Sequence, residues 1–341
     1  MADIRVFFVT NRNHQPDNKK ALFGPRFNAD GVAALRFGRA QFSDADGPAL
    51  KSVFVYPETK GVDDFTKIGS AAFFSELREA MKGARTDTLV FIHGFNVDFE
   101  SALKAGAKLA KQVRVEGRAL NLVIFTWPSD GNAVPLMSYY SDREDARASG
   151  PALARAYLKL RDYVAELSTE DHCDRRLHLV AHSMGNYVLR HGLQAVIAKD
   201  PDGLVRLFDQ IILAAPDEDD DAFESDAKLK RLPQIGRRVT VYFNPHDRAL
   251  LVSDKTKANP DRLGSDGPRL IDLIPKKVVL VDCRNIAVAA DRFVQHSYYV
   301  GSPAVSADLG AVLAGMEAET ITNRTFLVPQ RAWRIVGEVS N

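Results

Sequence analysis

The sequence predicts an α/β protein with a mostly parallel central sheet, helices on both of its faces and extra N-terminal strands. Three observations carry this prediction. Short runs almost free of polar residues, such as Leu89-Val90-Phe91-Ile92, Leu122-Val123-Ile124-Phe125 and Ile211-Ile212-Leu213, have the composition of strands buried on both faces. From Thr88 onward such runs alternate with segments of helical spacing, the pattern of right-handed strand–helix–strand crossovers. Finally, Leu177-His178-Leu179-Val180 breaks into Ala181-His182-Ser183-Met184-Gly185 and then a helix-compatible stretch, Tyr187 to Lys199. A strand, a sharp turn and a helix with serine at the apex is the context of a nucleophile elbow.

Taken in order, Ile4 to Thr10 is β-rich and reads as the first strand. Asn11 to Gly47, punctuated by Pro16, Gly24, Pro25, Gly31 and Gly38, reads as an edge hairpin and loops with an apolar patch around Val32 to Phe37. Ser52 to Tyr56 is a strand stopped by Pro57, and Ser70 to Lys82 has helical spacing with Ser70 as N-cap. Thr88 to Ile92 is a strand, followed by a helix from about Phe99 to Glu116. Asn121 to Trp127 is a strand ended by Pro128. A Gly-, Pro- and Ser-rich loop leads to a helix from about Ser149 to Leu167. After the elbow come a strand at Phe208 to Ala214, an acidic-capped helix at Asp217 to Lys230, and strands at Val239 to Phe243 and Val278 to Val281. A helix around Val305 to Met316 and a polar tail with Trp333 close the chain. No repeat or compositional linker divides residues 1–341, so a single domain is expected.

With 341 residues, 45% of them hydrophobic, the chain has ample material for a buried core. A formal net charge of +1, with basic residues scattered, gives nucleic acid or an anionic membrane nothing to hold. Cys173 and Cys283 lack both disulfide-framework and metal-type spacing; no secretory signal or membrane-spanning run is visible. A cytoplasmic protein without membrane insertion is the expectation. His172-Cys173-Asp174 lacks a second ligand group, so no metal or cofactor is expected.

In open α/β sheets ligands meet the carboxyl ends of strands, and the reactive residues are sought there. Ser183 sits at a turn whose tight backbone demands small neighbours, met by Ala181 and Gly185. The strand Val239 to Phe243 ends in Asn244-Pro245-His246-Asp247; Asp247 is either the acid that orients a histidine or a turn and N-cap residue. His296, in Phe293-Val294-Gln295-His296-Ser297-Tyr298-Tyr299, is the one histidine after His246 and so the candidate base. Chain order Ser183, Asp247, His296 matches a nucleophile–acid–base arrangement. His246 is an alternative base, and Asp217, at the end of the strand before Asp247's, is the alternative acid. His182, pointing away from its neighbour Ser183, is assigned to packing or hydrogen bonding beneath the elbow. Thr88 to Ile92 runs into His93-Gly94-Phe95-Asn96, where Gly94 permits a tight turn that leaves the Phe95 amide free. With the Met184 amide it would make a two-donor oxyanion hole. His93, Asn96 and Trp127 are candidates to line the substrate site, with core packing the alternative for Trp127.

These pieces together resemble the α/β-hydrolase superfamily, and more narrowly the bacterial family described only as alpha/beta hydrolases of unknown function. The resemblance lies in Phe91-Ile92-His93-Gly94-Phe95-Asn96, Thr126-Trp127-Pro128-Ser129, Ala181 to Asn186, Ala214-Ala215-Pro216-Asp217, Asp247-Arg248-Ala249-Leu250 and His296-Ser297-Tyr298. It covers about residues 86–300; residues 1–85 carry no motif. It implies the α/β-hydrolase fold and a Ser183–His296–Asp247 triad without a cofactor. Ala181 stands where the superfamily usually has glycine, and is still small. The expected activity is hydrolysis of a small-molecule ester, thioester or amide through an acyl-enzyme. The same residues also admit transfer of the acyl group to another acceptor, or a silent scaffold used for binding. Segments Ser129 to Pro151 and Asn11 to Gly47 are lid candidates. Acyl chain length, leaving group and oligomeric state have no signature in the sequence.

Overall fold

The computed structural model describes residues 3–17, 22–43, 47–58, 69–129, 135–250, 261–286, 288 and 294–337, with the side chains of 135–137 excepted. Strand β1 (Ile4–Thr10) is followed by a small pair, β2 (Arg12–His14) and β3 (Phe23–Phe27), then β4 (Arg36–Phe42) and β5 (Leu50–Val55). Helix α1 (Gly69–Ala84) leads to β6 (Thr88–Ile92), α2 (Phe99–Gln112) and the short hairpin β7 (Arg114–Val115) and β8 (Arg118–Ala119). Next come β9 (Asn121–Thr126), α3 (Pro135–Ala148), α4 (Gly150–Glu166), β10 (Leu177–His182) and α5 (Gly185–Lys199). The remaining strands are β11 (Phe208–Ala214), β12 (Gly236–Phe243), β13 (Val278–Asp282), β14 (Arg324–Leu327) and β15 (Ala332–Ile335).

One sheet takes up eleven of these strands in the order β14-β15-β13-β12-β11-β10-β6-β9-β1-β4-β5. From β1 to β15 every neighbouring pair is parallel; β4, β5 and β14 run antiparallel at the two edges. Alternation along β1 sends Phe7 and Val9 to one face, packed with α1, α4 and α5, and Val6 and Phe8 to the other, packed with α2 and the helix Pro303–Leu313. The chain leaves β6 toward β9 on one side and returns to β10 on the other. That reversal opens a crevice beyond the carboxyl ends of β6 and β10, where open α/β sheets bind ligands.

The extra N-terminal strands are present, with one more than expected. Residues 36–42 form a full strand against β1, because Phe37, Ala40 and Phe42 are buried while Arg36, Arg39 and Gln41 lie partly exposed between them. The helix expected to reach Glu116 stops at Gln112, since Glu116 and Gly117 take positive φ (50° and 77°) and turn the chain into the β7–β8 hairpin. The expected loop before α4 contains α3. Its inner face carries Ser138, Asp142 and Tyr139, so the apolar periodicity that marks a helix is missing. Residues 217–230 form turns and a bridge rather than a helix, because their carboxylates bind side chains elsewhere in the fold, Asp219 pairing with Arg262 and Glu218 with Arg190, while Lys228 folds back on Asp219 within the segment. The polar tail is a hairpin that closes the sheet edge. Of the lid candidates, residues 18–21, 44–46 and 130–134 lie outside the described residues, as does the end of the segment after Asp247 from position 251. Among the described residues, no helix is long and apolar enough to cross a membrane.

Candidate active site

The elbow is built as its sequence dictates. Ser183 holds φ at 52°, a left-handed conformation that costs a side-chain-bearing residue about 1–2 kcal/mol. Its surroundings impose that geometry. The Ser183 amide donates to the Ala214 carbonyl at 3.0 Å, while its carbonyl accepts from the Asn186 amide (3.0 Å), the Asp217 amide (3.2 Å) and Asn186 Nδ2 (3.0 Å). Asn186 Nδ2 also donates to the Ala181 carbonyl at 3.1 Å, tying both sides of the turn to one buried amide. Gly185 is required by close approach: a Cβ there would lie 2.5 Å from the Ile92 carbonyl oxygen and 2.6 Å from that of His93. A Cβ on Gly94 would lie 2.9 Å from Ser183 Cβ, so the turn after β6 packs directly on the serine.

Ser183 faces a cleft of about 420 Å³. His296, His182, Phe95, Tyr139, Leu250 and Tyr299 are among its lining residues, and the walls are largely apolar. Behind His296, fully buried Asp247 accepts through Oδ2 from Nδ1 at 2.7 Å. Oδ1 of the same aspartate accepts from the amides of Ala249 (3.1 Å) and Leu250 (3.3 Å), so Asp247 serves as a turn cap as well as the histidine's partner. The Arg248 amide donates to the Val294 carbonyl at 2.8 Å, and Gln295 adopts φ of 57°, which together fix the segment carrying His296 against the loop carrying Asp247.

The other candidates make different contacts. Asp217 is buried at the cleft wall, but its Oδ2 accepts from the Tyr139 hydroxyl at 2.7 Å and its Oδ1 lies 3.8 Å from Arg262 Nε. His246 is exposed, its amide capped by Asn244 Oδ1 at 2.9 Å. His182, expected beneath the elbow, instead stands at the cleft: Nε2 donates to the His296 carbonyl at 3.3 Å, and its ring lies 4.7 Å from that of His296 and 4.4 Å from that of Tyr299. Burial and the neighbouring His296 hold its pKa well below the usual value.

His93 and Trp127 stack at 5.2 Å with ring planes 7° apart. His93 Nδ1–H donates to the Gly94 carbonyl (2.8 Å), Nε2 accepts from the Trp127 amide (3.2 Å), and Trp127 Nε1–H donates to the His93 carbonyl (3.0 Å). Burial and Arg12 lower the His93 pKa to about 3, so the ring is neutral and serves as a splice between β6 and β9, while the residue also lines the cleft, where the sequence placed it. Trp127 is fully buried and does not line the cleft, which corrects the expectation for it: its indole satisfies its one donor inside the fold. Asn96 is corrected likewise. It is exposed at φ 59°, on the outside of the turn.

The 93–97 turn that carries Phe95 is held by Asp142, Ser129 and Arg12, none of them a candidate site residue. Asp142 Oδ2 on α3 accepts from the Asn96 amide at 2.9 Å and from the Ser129 hydroxyl, and Ser129 Oγ accepts from the Val97 amide at 3.0 Å. Buried Arg12 donates to the carbonyls of Val97 (2.6 Å) and Ser129 (3.2 Å) and, through Nε, to Thr126 Oγ1 (2.9 Å). With Asn96 and Val97 so engaged, the amides of Phe95 and Met184 donate to no backbone acceptor among the described residues. Ser129 closes the Thr126-Trp127-Pro128-Ser129 motif, and Arg12 lies two residues past the end of β1, but nothing in the sequence marks Asp142. Among the described residues, no group of three or more His, Cys, Asp or Glu is arranged to hold a metal ion.

The fold is similar to that of the esterase Est22 (11% identity over 82% of this chain and 74% of that one, TM-score 0.35). It is also similar to an esterase from Pyrobaculum calidifontis (13% identity over 84% and 82%, TM-score 0.34). An uncharacterized protein of Nostoc sp., alr1448, is 26% identical over 138 residues, so the chain spans about a third (33%) of the length of this curated relative. Residues 70–314, most of the chain, match the family described as alpha/beta hydrolase of unknown function (DUF900). With its parallel sheet, its serine elbow after β10 and that match, this chain belongs to that family of alpha/beta hydrolases.

Proposed function

We propose that the protein is a serine hydrolase that cleaves a carboxylic ester through an acyl-enzyme, with Ser183 as nucleophile, His296 as base and acid, and Asp247 as the orienting acid. The observation that carries this reading is the 2.7 Å contact of Asp247 with His296 Nδ1, made at a cleft that Ser183 also lines. A carboxylate on Nδ1 selects the tautomer with Nδ1–H and leaves Nε2 as a lone-pair base. In the reaction Ser183 Oγ bonds to the substrate carbonyl carbon as its proton passes to Nε2, and the carbonyl oxygen becomes an oxyanion accepted by the amides of Phe95 and Met184. The bond to the leaving oxygen then breaks, and Nε2 returns the proton to that oxygen. Water repeats the sequence on the acyl-enzyme: its proton goes to Nε2, its oxygen to the carbonyl carbon, and the proton finally restores Ser183. Thioesters fit the same steps.

Asp217 is set aside as the acid because its carboxylate is engaged by Tyr139 and Arg262. The test is a fluorophosphonate probe with mass-spectrometric mapping, together with turnover of p-nitrophenyl esters. Labelling at Ser183 and loss of turnover in a folded Ser183→Ala protein are expected; undiminished turnover in that variant overturns the assignment.

A further inference from the structure

A second pocket lies at the opposite end of the sheet, beyond the amino ends of β10, β11 and β12, with a volume of about 460 Å³. That is within the size range of small-molecule sites. Two helices supply its walls through residues three or four apart: Phe74, Leu77 and Met81 from α1, and Leu160 with Tyr163 and Val164 from α4. Residues spaced three and four apart share one helix face, so two apolar stripes confront each other across the opening. The pocket shares Phe74, Leu77 and Leu160 with a narrower, almost wholly apolar cavity of about 90 Å³ between the sheet and α4 and α5.

The rim has the opposite character. Arg78, Arg175, Arg176, Arg206 and Arg237 converge there, against Asp174 and Asp209. This is a local excess in a chain whose net charge is only +1. Part of it has structural employment. Arg237 pairs with Asp209 at 2.7 Å, and Arg78 with Asp171 at 2.6 Å. Arg175 and Arg176 reach the carbonyls of Arg85 (3.4 Å) and Ala314 (3.2 Å) near the ends of helices, where a cation is welcome. None of this accounts for exposed Arg206, which has no side-chain partner among the described residues. Nor does it account for buried Arg78 Nε, which has no acceptor among the described residues. Arg176 also lies 3.9 Å from Asp209, which is already shared with Arg237, whereas the carbonyl partner of Arg175 leaves its charge uncompensated.

We infer that this pocket binds a single-chain fatty acid, its tail between α1 and α4 and its carboxylate on the arginine rim. A guanidinium fork matches a flat carboxylate, and the two apolar stripes match an alkyl chain. The site is independent of the chemistry proposed at Ser183, which occupies the other end of the same strands.

The test uses the full chain and dodecanoate below its micelle concentration. Titration calorimetry is expected to give saturable binding of one equivalent. Dodecanol, with a similar tail and no charge, and the double variant Arg175→Glu/Arg206→Glu are each expected to weaken binding about tenfold or more, that is about 1.4 kcal/mol. A diazirine-tailed fatty acid on the unsubstituted protein is expected to label peptides from 69–84 and 150–166, which keeps the test decisive even if the variant misfolds. Absence of saturable binding, indifference to charge reversal in a folded variant, or label confined to the cleft peptides around 91–105 and 294–301 overturns the inference.

Discussion

At the ends of the neighbouring strands β11 and β12 stand two buried aspartates in contrasting company. Asp217 faces the cleft but is held by a tyrosine hydroxyl and a fully buried arginine. Asp247 lies out of the cleft and meets the ring of His296. Arginine keeps its charge under all ordinary conditions, so the Asp217 side is a fixed electrostatic brace. An imidazole can gain and lose a proton, so the Asp247 side can respond when a proton arrives on His296. Proximity to the serine along the chain favours Asp217; the partner each carboxylate finds favours Asp247.

Substitutions at the two positions break this contrast most directly. Ser183→Ala sets the scale, with esterase turnover expected to fall by about 10⁶-fold. Asp247→Asn is expected to lower kcat by about 10⁴-fold, because an amide no longer holds the Nδ1–H tautomer. Asp217→Asn is expected to change kcat by less than about tenfold and instead to destabilise the fold by about 3 kcal/mol, through the weakened pairing of buried Arg262. Measured kcat and urea midpoints for the two variants check the order; the reverse order of kcat losses would overturn the assignment of the acid.

A smaller effect separates the walls of the cleft. Asp142→Asn leaves Ser183, His296 and Asp247 untouched but weakens the tie on Asn96 and Ser129. Misplacing the Phe95 amide by a fraction of an ångström is expected to cost about 10–100-fold in kcat with little change in KM. An equal rise in KM instead would mean that the turn serves binding alone.

The subtlest prediction concerns pH on the Asp217 side. Burial pushes the Glu218 carboxyl from its ordinary 4.5 up to about 7, against the pull of Arg190. A carboxyl whose folded value is raised contributes fully below 4.5 and loses that contribution as pH rises through about 7, a change of up to about 3 kcal/mol. Thermal melts should therefore show Glu218→Gln gaining on the parent protein between pH 5 and pH 8. A Tm difference that stays constant across this range would count against the buried, proton-holding Glu218.

The strands β6, β9, β10 and β11 were legible because all-apolar runs have few alternatives to burial on both faces. The elbow was legible because Gly185 and Ala181 meet a steric demand that few residues satisfy. Helix α3 was not, because its inward face is polar and its justification, the hydrogen bonds of Asp142 and Tyr139, lies on other elements. The same holds for Arg12, which reads as an ordinary surface cation until Val97 and Ser129 fold around it.

The amino-acid order alone determined the layered sheet, the turn at Ser183 and the requirement for small residues beside it, since each follows from local backbone sterics and hydrophobic periodicity. Tertiary structure decided which carboxylate faces His296, that Trp127 serves the frame of the fold while its stacking partner His93 also lines the cleft, and that five arginines gather over an apolar slot. Those outcomes depend on pairs of side chains tens to more than a hundred positions apart, and only the packed sheet brings such pairs within a hydrogen bond's reach.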